Sequence, residues 1–459
     1  MLRNVHAHSD LSSFGRLMST SVASAGATMP AAVTMTASRL HECHDCGQMQ
    51  IVPAMPPASR ALCLRCDAVL RHTRHYPLVL PAALNLSALI LFGVAGTLTV
   101  MSVTTAGQQR AASLVSGPVE LQYYGLWEIS VVVLVTTFAA PLARVLCMLT
   151  VLAGLQMHRP PAELRSIFAW VERLRPWSMI EIYMLGLYVA YVRLSAIATV
   201  TIGPALYALG GLIGIMLLAD ISLDDQAVWE AMEPPNRRRR AVIQGLRLGA
   251  RPDTVNRWRI GCDTCGLVSR AAEGSPCPRC GHRLHDRKPK SIQRTWAYAI
   301  AALILYIPAN VYPVLTVIQL GAGDPSTILG GVRELVEYGM WPLAMLVFFA
   351  SVAVPVLKLV GLGILLISTQ MGVTRRLRDR TVLYRVVDAI GRWSMIDIFM
   401  ESILVALVQF GSFASVYPGP GAIAFAAVVI LTMLAARSFD PRVMWDRCQP
   451  PPSADATAS

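Results

Sequence analysis

Trp393-Ser394-Met395-Ile396-Asp397-Ile398-Phe399-Met400 has a near copy in Trp177-Ser178-Met179-Ile180-Glu181-Ile182-Tyr183-Met184, and this repeat decides how the chain is built. Each copy follows a basic segment and opens a long apolar run, so a carboxylate falls about one helical turn inside the run. A charge at that depth in a bilayer is expensive, about 2.5–3.5 kcal/mol even on lenient insertion scales. A chain that makes the same placement twice is a duplication with a charged centre in each half.

Working outward, the 459 residues are 54% hydrophobic and only 15% charged, with a mean hydropathy of +0.50. That composition is that of an integral membrane protein. The formal charge of +12 comes from arginines crowded into the connectors between apolar runs, where membrane topology accounts for them without a nucleic-acid partner. The expected reading is a non-enzyme: no Ser/His, Cys/His or paired-carboxylate set offers a persuasive nucleophile, and there is no ATP-binding P-loop.

Eight of the ten cysteines form four Cys-x-x-Cys pairs, Cys43/Cys46, Cys63/Cys66, Cys262/Cys265 and Cys277/Cys280. Cys147 and Cys448 are left over. Each pair offers two thiolates at one turn, and the glycine after three of the four allows the backbone to tighten around sulfur. Two pairs make a closed four-thiolate site, the arrangement of structural zinc ribbons, with no position left for water or substrate. Two structural Zn²⁺ sites are therefore expected, with iron or dithiol redox chemistry as the alternatives that the ligand set leaves open. His44 and His282 lie beside the knuckles but are not needed as ligands.

The apolar runs fall into two blocks of four helices. The first block is placed near Val79 to Met101, Ile129 to Leu155, Trp177 to Arg193 and Ile197 to Ala219. The second is placed near Thr295 to Leu315, Met340 to Ile367, Trp393 to Phe413 and Ile423 to Ala436, the third and fourth of each block forming a tight hairpin. Arg159, Arg165, Arg173 and Arg175 in one block, and Arg375, Arg376, Arg378, Arg380, Arg385 and Arg392 in the other, mark the cytoplasmic side. Both termini and both ribbons then lie in the cytoplasm.

The expected fold is a polytopic α-helical membrane protein of two tandem modules, each a cytoplasmic zinc ribbon followed by a four-helix unit, eight transmembrane helices in all. Its layout is a disordered tail (1–38), zinc ribbon 1 (39–76), module 1 (77–220), a cytoplasmic linker (221–258), zinc ribbon 2 (259–290), module 2 (291–437) and a cytoplasmic tail (438–459). Phe168 to Leu174 and Tyr384 to Ile390 read as interfacial helices.

Arg144 stands three residues after Pro141 and Lys358 three after Pro355. Depth along the helices predicts two pairs, Arg144 with Glu181 and Lys358 with Asp397, and Glu401, one turn after Asp397, gives the lysine a second acid. The prolines free the carbonyls of Thr137 and Ser351, both hydroxyl residues. Lysine can lose its proton when desolvated and arginine cannot, so the second module is the one to carry protons; an inert pair that locks helix register is the other reading. Tyr306-Ile307-Pro308-Ala309-Asn310-Val311-Tyr312-Pro313 is expected to break its helix, lining a cavity or making a packing kink.

The paired ribbons, the repeated Trp-Ser-Met segment and the Tyr-Ile-Pro-Ala-Asn-Val-Tyr-Pro stretch resemble the PqiA family of bacterial inner-membrane proteins, over roughly Cys43 to Arg437. The resemblance implies a multi-pass protein of the bacterial inner membrane that loads or extracts phospholipid at a periplasmic MCE-domain tunnel partner. It also implies proton coupling through ionisable residues of the second module, which Lys358, Asp397 and Ser394 match by position. The reading from a different class is a membrane-anchored metal or redox stress sensor in which the buried charges are structural.

Overall fold

The apolar runs become helices that end earlier than their hydropathy does, because each chain half closes on a small sheet. The computed structural model describes residues 39–105, 107–157, 160–195, 198–233, 259–319, 322–391, 393–410 and 414–446. The expected tail (1–38), Arg159, Arg392, most of the linker (234–258) and the end of the chain with Cys448 lie outside the described residues.

Two short hairpins open the described chain, β1 (Arg39–Glu42) with β2 (Met49–Val52) and β3 (Arg60–Leu62) with β4 (Val69–His72). In the first half, α1 (Val79–Thr97) leads into the hairpin of β5 (Met101–Thr105) and β6 (Gln108–Ala112). Next come α2 (Ser116–Tyr123), the long α3 (Trp127–Leu155), α4 (Leu164–Leu174) and α5 (Ile180–Ser195). Strand β7 (Thr199–Ile202) joins β5 from the other side, and α6 (Pro204–Ser222) and α7 (Asp225–Ala231) follow. A hairpin of β8 (Ile260–Gly261) and β9 (Val268–Ser269) separates the halves among the described residues.

The second half repeats the order: α8 (Ser291–Val311), β10 (Leu315–Gln319), β11 (Ala322–Ser326), α9 (Ile328–Glu337), α10 (Trp341–Gln370), α11 (Leu377–Ile390), α12 (Ile396–Leu407), β12 (Ala414–Pro418), α13 (Pro420–Ser438) and the short α14 (Val443–Asp446). Among the described residues five helices are long and apolar enough to cross a membrane: α1, α3, α6, α10 and α13. The chain is a polytopic membrane protein.

The sheets correct the expected tight hairpins. In each half the third and fourth helices are joined through a strand, and that strand pairs with the hairpin that follows the first helix: Val103 faces both Arg110 and Val200, and Thr316 faces both Pro325 and Tyr417. Met101 and Leu315, expected to end helices, instead begin strands. The return to helix is the same twice. Gly203 donates its amide to Val100 at 2.9 Å and Gly419 to Val314 at 2.7 Å, and a proline opens the next helix. A Cβ at Gly203 would overlap the Thr99 carbonyl and one at Gly419 the Pro313 carbonyl, so only glycine lets the backbones approach this closely.

The repeated Trp-Ser-Met segments lead into α5, with 16 residues, and α12, with 12. A crossing needs about 20. Every residue of α12 except Ala406 is buried, so this helix lies in the core of the molecule. It crosses α5 at Gly186, where a Cβ would stand 3.0 Å from Phe399 Cβ and 3.2 Å from the Ile396 carbonyl. The two copies of the duplicated segment thus pack on each other, with Tyr183 edge-on to Phe399 at 5.8 Å. The prolines Pro141 and Pro355 each follow a π turn, Val135–Ala139 in α3 and Phe349–Ala353 in α10. There the hydroxyls of Thr137 and Ser351 turn back onto carbonyls four residues earlier, at 2.7 and 2.6 Å.

The expected break in α8 is not formed. The helix runs through Pro308 to Val311, and Asn310 donates its side-chain amide to the Tyr306 carbonyl at 2.8 Å, within its own helix.

Candidate metal centres and intramembrane charge site

The four Cys-x-x-Cys turns share one backbone solution. The residue after each second cysteine sits at positive φ, Gly47 at 69°, Asp67 at 59°, Gly266 at 66° and Gly281 at 75°, and its amide returns to the carbonyl of the first cysteine at 2.8 to 3.0 Å. This curl turns both sulfurs inward and aims further amides at them, Arg65 N at Cys63 Sγ and Arg279 N at Cys277 Sγ, both at 3.4 Å. Cys43, Cys46, Cys63 and Cys66 make one group and Cys262, Cys265, Cys277 and Cys280 the other, with all sulfurs of a group within 4.8 Å of one another. Cross-pair separations are 3.5 and 3.6 Å in both groups. A tetrahedral ion with bonds of about 2.3 Å has sulfur edges of about 3.8 Å, so the donor sets fit a metal of that kind. His44 points outward, its side chain 68% exposed.

Each metal group is buried against the opposite half of the chain. The first cysteine group shares an apolar cluster with Leu365 and Leu366 of α10, Leu377 of α11, Phe439, and Met444 and Trp445 of α14. The second shares one with Met148, Val151 and Leu152 of α3, Leu164 and Phe168 of α4, and Trp229 of α7. The basic residues that signalled topology also clamp this exchange. Arg385 of α11 binds Asp45 and the Cys66 carbonyl at 2.6 and 3.0 Å, and Arg378 reaches the Arg65 carbonyl at 2.9 Å. The ribbons meet each other where Gly261 donates to Glu42 at 2.8 Å and where Arg442 bridges Glu42, Asp263 and Asp440.

The intramembrane charges pair differently from the sequence expectation. Arg144 of α3 is ion-paired with Asp220 at the end of α6, not with Glu181, which lines the same cavity. Lys358 is 1% exposed and donates to Thr432 Oγ1 of α13 at 2.7 Å and to the Gly391 carbonyl at 3.2 Å. Among the described residues no ion pair joins it to Asp397 or Glu401; the carboxylate that acts on it is Asp388 of α11. The reason is the helix that faces the cation. In each half that is the helix after the last strand of the sheet, α6 or α13, and it offers Asp220 to the arginine and Thr432 to the lysine.

The cation whose charge reaches Asp397 and Glu401 is Arg193, which comes from α5 of the first half and also acts on Glu334 of α9; among the described residues no ion pair joins it to either acid. Both acids are 5% exposed, and among the described residues Asp397 Oδ1 has no hydrogen-bond partner. Among the described residues the buried hydroxyl of Ser394 has none either, nor has that of its counterpart Ser178. Ser351 keeps to its own helix, as does Asn310.

Three residues that matter here were missed in the sequence. Asp220 stood one residue past an expected helix end, and Thr432 was an unremarked hydroxyl in an apolar run. Arg193 carried the only usable signal, a cation at the end of a helix away from the basic connectors.

The comparisons with known proteins come to the same duplication. A family profile, paraquat-inducible protein A, matches the chain twice, over residues 79–233 and 292–449. The ribbons lie outside both matches. The chain is 31% identical to the intermembrane transport protein PqiA of Escherichia coli K12 over 414 residues, 88% of this chain and 95% of that one. It is 29% identical to the lipophilic envelope-spanning tunnel protein A of the same organism, covering 88% and 90% of the two chains. A probable intermembrane transport protein of Haemophilus influenzae is 26% identical, with 89% and 96% covered. No solved structure gives a significant match.

Proposed function

We propose, from the premise that the chain belongs to the paraquat-inducible protein A family, that it is the inner-membrane subunit of a lipid transport system of the cell envelope. It loads or extracts phospholipid at a periplasmic MCE-domain tunnel protein. The names of its relatives, an intermembrane transport protein and a lipophilic envelope-spanning tunnel protein, favour a lipid cargo. In this reading eight helices span the bacterial inner membrane, with α5, α8 and α12 added to the five long apolar ones. Both termini and both ribbons face the cytoplasm, as the basic connectors beside the ribbons favour. The chain is not an enzyme, and each ribbon holds a structural Zn²⁺ that contributes to folding.

One observation carries the proposal further: Lys358 is buried inside a span and hydrogen-bonds a hydroxyl and a carbonyl, while the carboxylate that acts on it, Asp388, makes no ion pair with it among the described residues. A lysine so placed can exist as ammonium or as neutral amine, because neither partner demands the charge. Asp397 and Glu401, on the central helix, carry the acid end of the same site, and the unpartnered hydroxyl of Ser394 lies between these elements in sequence. Protons moving through this set couple lipid transfer to an ion gradient. A metal or redox sensor is less well supported, because all eight ribbon thiols stand in closed tetrads and none is left exposed.

The test is complementation of envelope integrity by Lys358→Ala and Asp397→Asn beside Cys262→Ser, with protein level and bound zinc measured for each. Loss of function at normal abundance for the first two, with loss of abundance for the third, is expected. Full activity of both membrane variants would sink the proton reading.

A further inference from the structure

Two cavities adjoin at one carboxylate. The outer, of about 550 Å³, lies between the ribbons and the helices α4 and α11, and its wall includes Glu42, Asp263, Glu172 and Asp388. The inner, of about 220 Å³, is lined by Arg175 just after α4, by Asp388, Ala389 and Gly391 at the end of α11, and by Arg437 of α13. Asp388 is exposed and belongs to both walls. The walls are joined a second time where Arg175 of the inner pairs with Asp225 of the outer at 3.6 Å. The inner cavity also borders Lys358, because the Gly391 carbonyl that accepts from Lys358 Nζ at 3.2 Å belongs to a residue of its wall. Its volume has room for a few water molecules, each of which takes about 30 Å³ of liquid.

We propose that Asp388 is the proton acceptor for Lys358, and that the two cavities are the route by which this proton reaches solvent on the ribbon side. The proton leaves the Lys358 ammonium, crosses the inner cavity to a carboxylate oxygen of Asp388 and passes through the outer cavity to bulk water. The lysine is left as neutral amine, and reprotonation retraces the path. The proposal rests on the proton reading of Lys358 and adds to it a second residue and the side on which protons exchange.

Among the described residues Asp388 is the one carboxylate of the inner wall, and the arginines there cannot accept a proton. The charged and titratable groups that act with Asp388 are Lys358 of α10, Lys288 before α8, Arg437 of α13 and Tyr384 of its own helix, with Arg175 across the inner cavity. The duplication accounts for the route being in one half. Glu172 stands where Asp388 stands, and each acid acts on the buried cation of its own half, Arg144 or Lys358. Only the lysine can release its proton. Gly391 stands where the first half has Arg175, and a Cβ there would already lie 3.7 Å from Lys358 Cε, so the missing side chain leaves the approach to the lysine open.

The chain has three lysines, Lys288, Lys290 and Lys358, so reductive methylation by formaldehyde can be followed at each by peptide mass spectrometry, on the full-length protein in lipid nanodiscs. Methylation requires a neutral amine and access to it, and the exposed Lys290 is the reference. Ala389→Trp, at an exposed position of the inner wall, should slow methylation of Lys358 several-fold and leave Lys290 unchanged. No methylation of Lys358 in the unsubstituted protein, or an equal rate in Ala389→Trp, would overturn the route. The acceptor role is read by complementation at normal abundance: Asp388→Asn should lose function and Asp388→Glu retain it, whereas full function of Asp388→Asn or equal loss in both would overturn it. An inactive Lys358→Ala beside an active Asp388→Asn leaves the Lys358 reading standing without this route. An active Lys358→Ala removes that reading, and the methylation rates still decide whether the route exists.

Discussion

Opening the first cysteine tetrad should loosen the second half of the chain. In Cys43→Ser one corner of the first sulfur tetrad is lost. Structural zinc contributes about 10–16 kcal/mol of apparent binding free energy in comparable peptides, far more than hairpins of three or four residues supply themselves, so the ribbon unfolds. Its loss uncovers the surface of Leu365, Leu366, Phe439 and Trp445, of which none is now more than 5% exposed. Fully burying such a side chain is worth about 1.5–3 kcal/mol; if half of that burial is against the ribbon, about 3–6 kcal/mol of local stability disappears. Hydrogen exchange at the ends of α10, α11 and α13 should then speed up roughly 10²- to 10⁴-fold. The matching change at Cys262→Ser should appear in α3, α4 and α7. Loosening of the same half as the mutated ribbon, with Leu362–Trp445 protected as before, would refute the exchanged arrangement.

The two halves should also respond differently to loss of a polar partner. Asp220→Ala leaves Arg144 buried at 8% exposure and should cost about 3 kcal/mol, the low end for a broken buried pair because Asp220 keeps 27% of its side-chain exposure; low abundance and a lower melting temperature report it. Thr432→Val should keep abundance near normal and lower transport, since Lys358 retains the Gly391 carbonyl. Gly186→Ala should destabilise by about 1–3 kcal/mol, read by thermal unfolding, because Phe399 and the Ile396 carbonyl must give way. Burial and the neighbouring charge of Asp225 raise the Glu172 carboxyl from 4.5 to about 7. With the folded value raised, its contribution to stability is full below about pH 4.5 and is lost as pH rises through about 7, at most about 3 kcal/mol; Glu172→Gln should flatten that part of a melting-temperature profile between pH 5 and 8.

What the sequence made legible was whatever repeats or whatever one short segment decides. The cysteine spacing set both tetrads, since each knuckle is closed by its own backbone and a positive-φ residue. The repeated Trp-Ser-Met segment located the central helix and its counterpart. What could not be read depends on contacts between distant segments. Thr199–Ile202 and Ala414–Pro418 are apolar enough to extend a helix, and they become strands because β5 and β10 offer unpaired edges about 100 residues upstream. Nothing local tells the first ribbon to pack on α10 and α14 and not on α3 and α4. The side-chain partners failed for the same reason. Helical depth put Lys358 level with Asp397, but depth does not say which face of α10 meets α12 and which meets α13.

That failure bears on why one half would be active and the other inert. Both halves keep the proline, the π turn and a buried cation in their long helix, so the scaffold around the cation has been retained twice. The difference lies one turn apart on the facing helix. Asp220 at the end of α6 fixes the charge on Arg144, while α13 carries Ala436 at that place and Thr432 one turn earlier, within reach of a lysine. A carboxylate beside arginine makes a permanent pair and a stable joint. The Thr432 hydroxyl accepts from Lys358 and gives its own proton to the Val429 carbonyl at 2.9 Å, so it is a neutral acceptor that does not fix the charge on the lysine. The acids of the second half feel a cation from the first, Arg193, so the first half contributes a fixed charge to their surroundings. Placing an acid on α13 by Ala436→Asp should therefore reproduce the first half's clamp. Abundance should be kept, bound metal unchanged and transport lost, whereas an undiminished transport rate would mean that the protonation freedom of Lys358 is not what the second half uses.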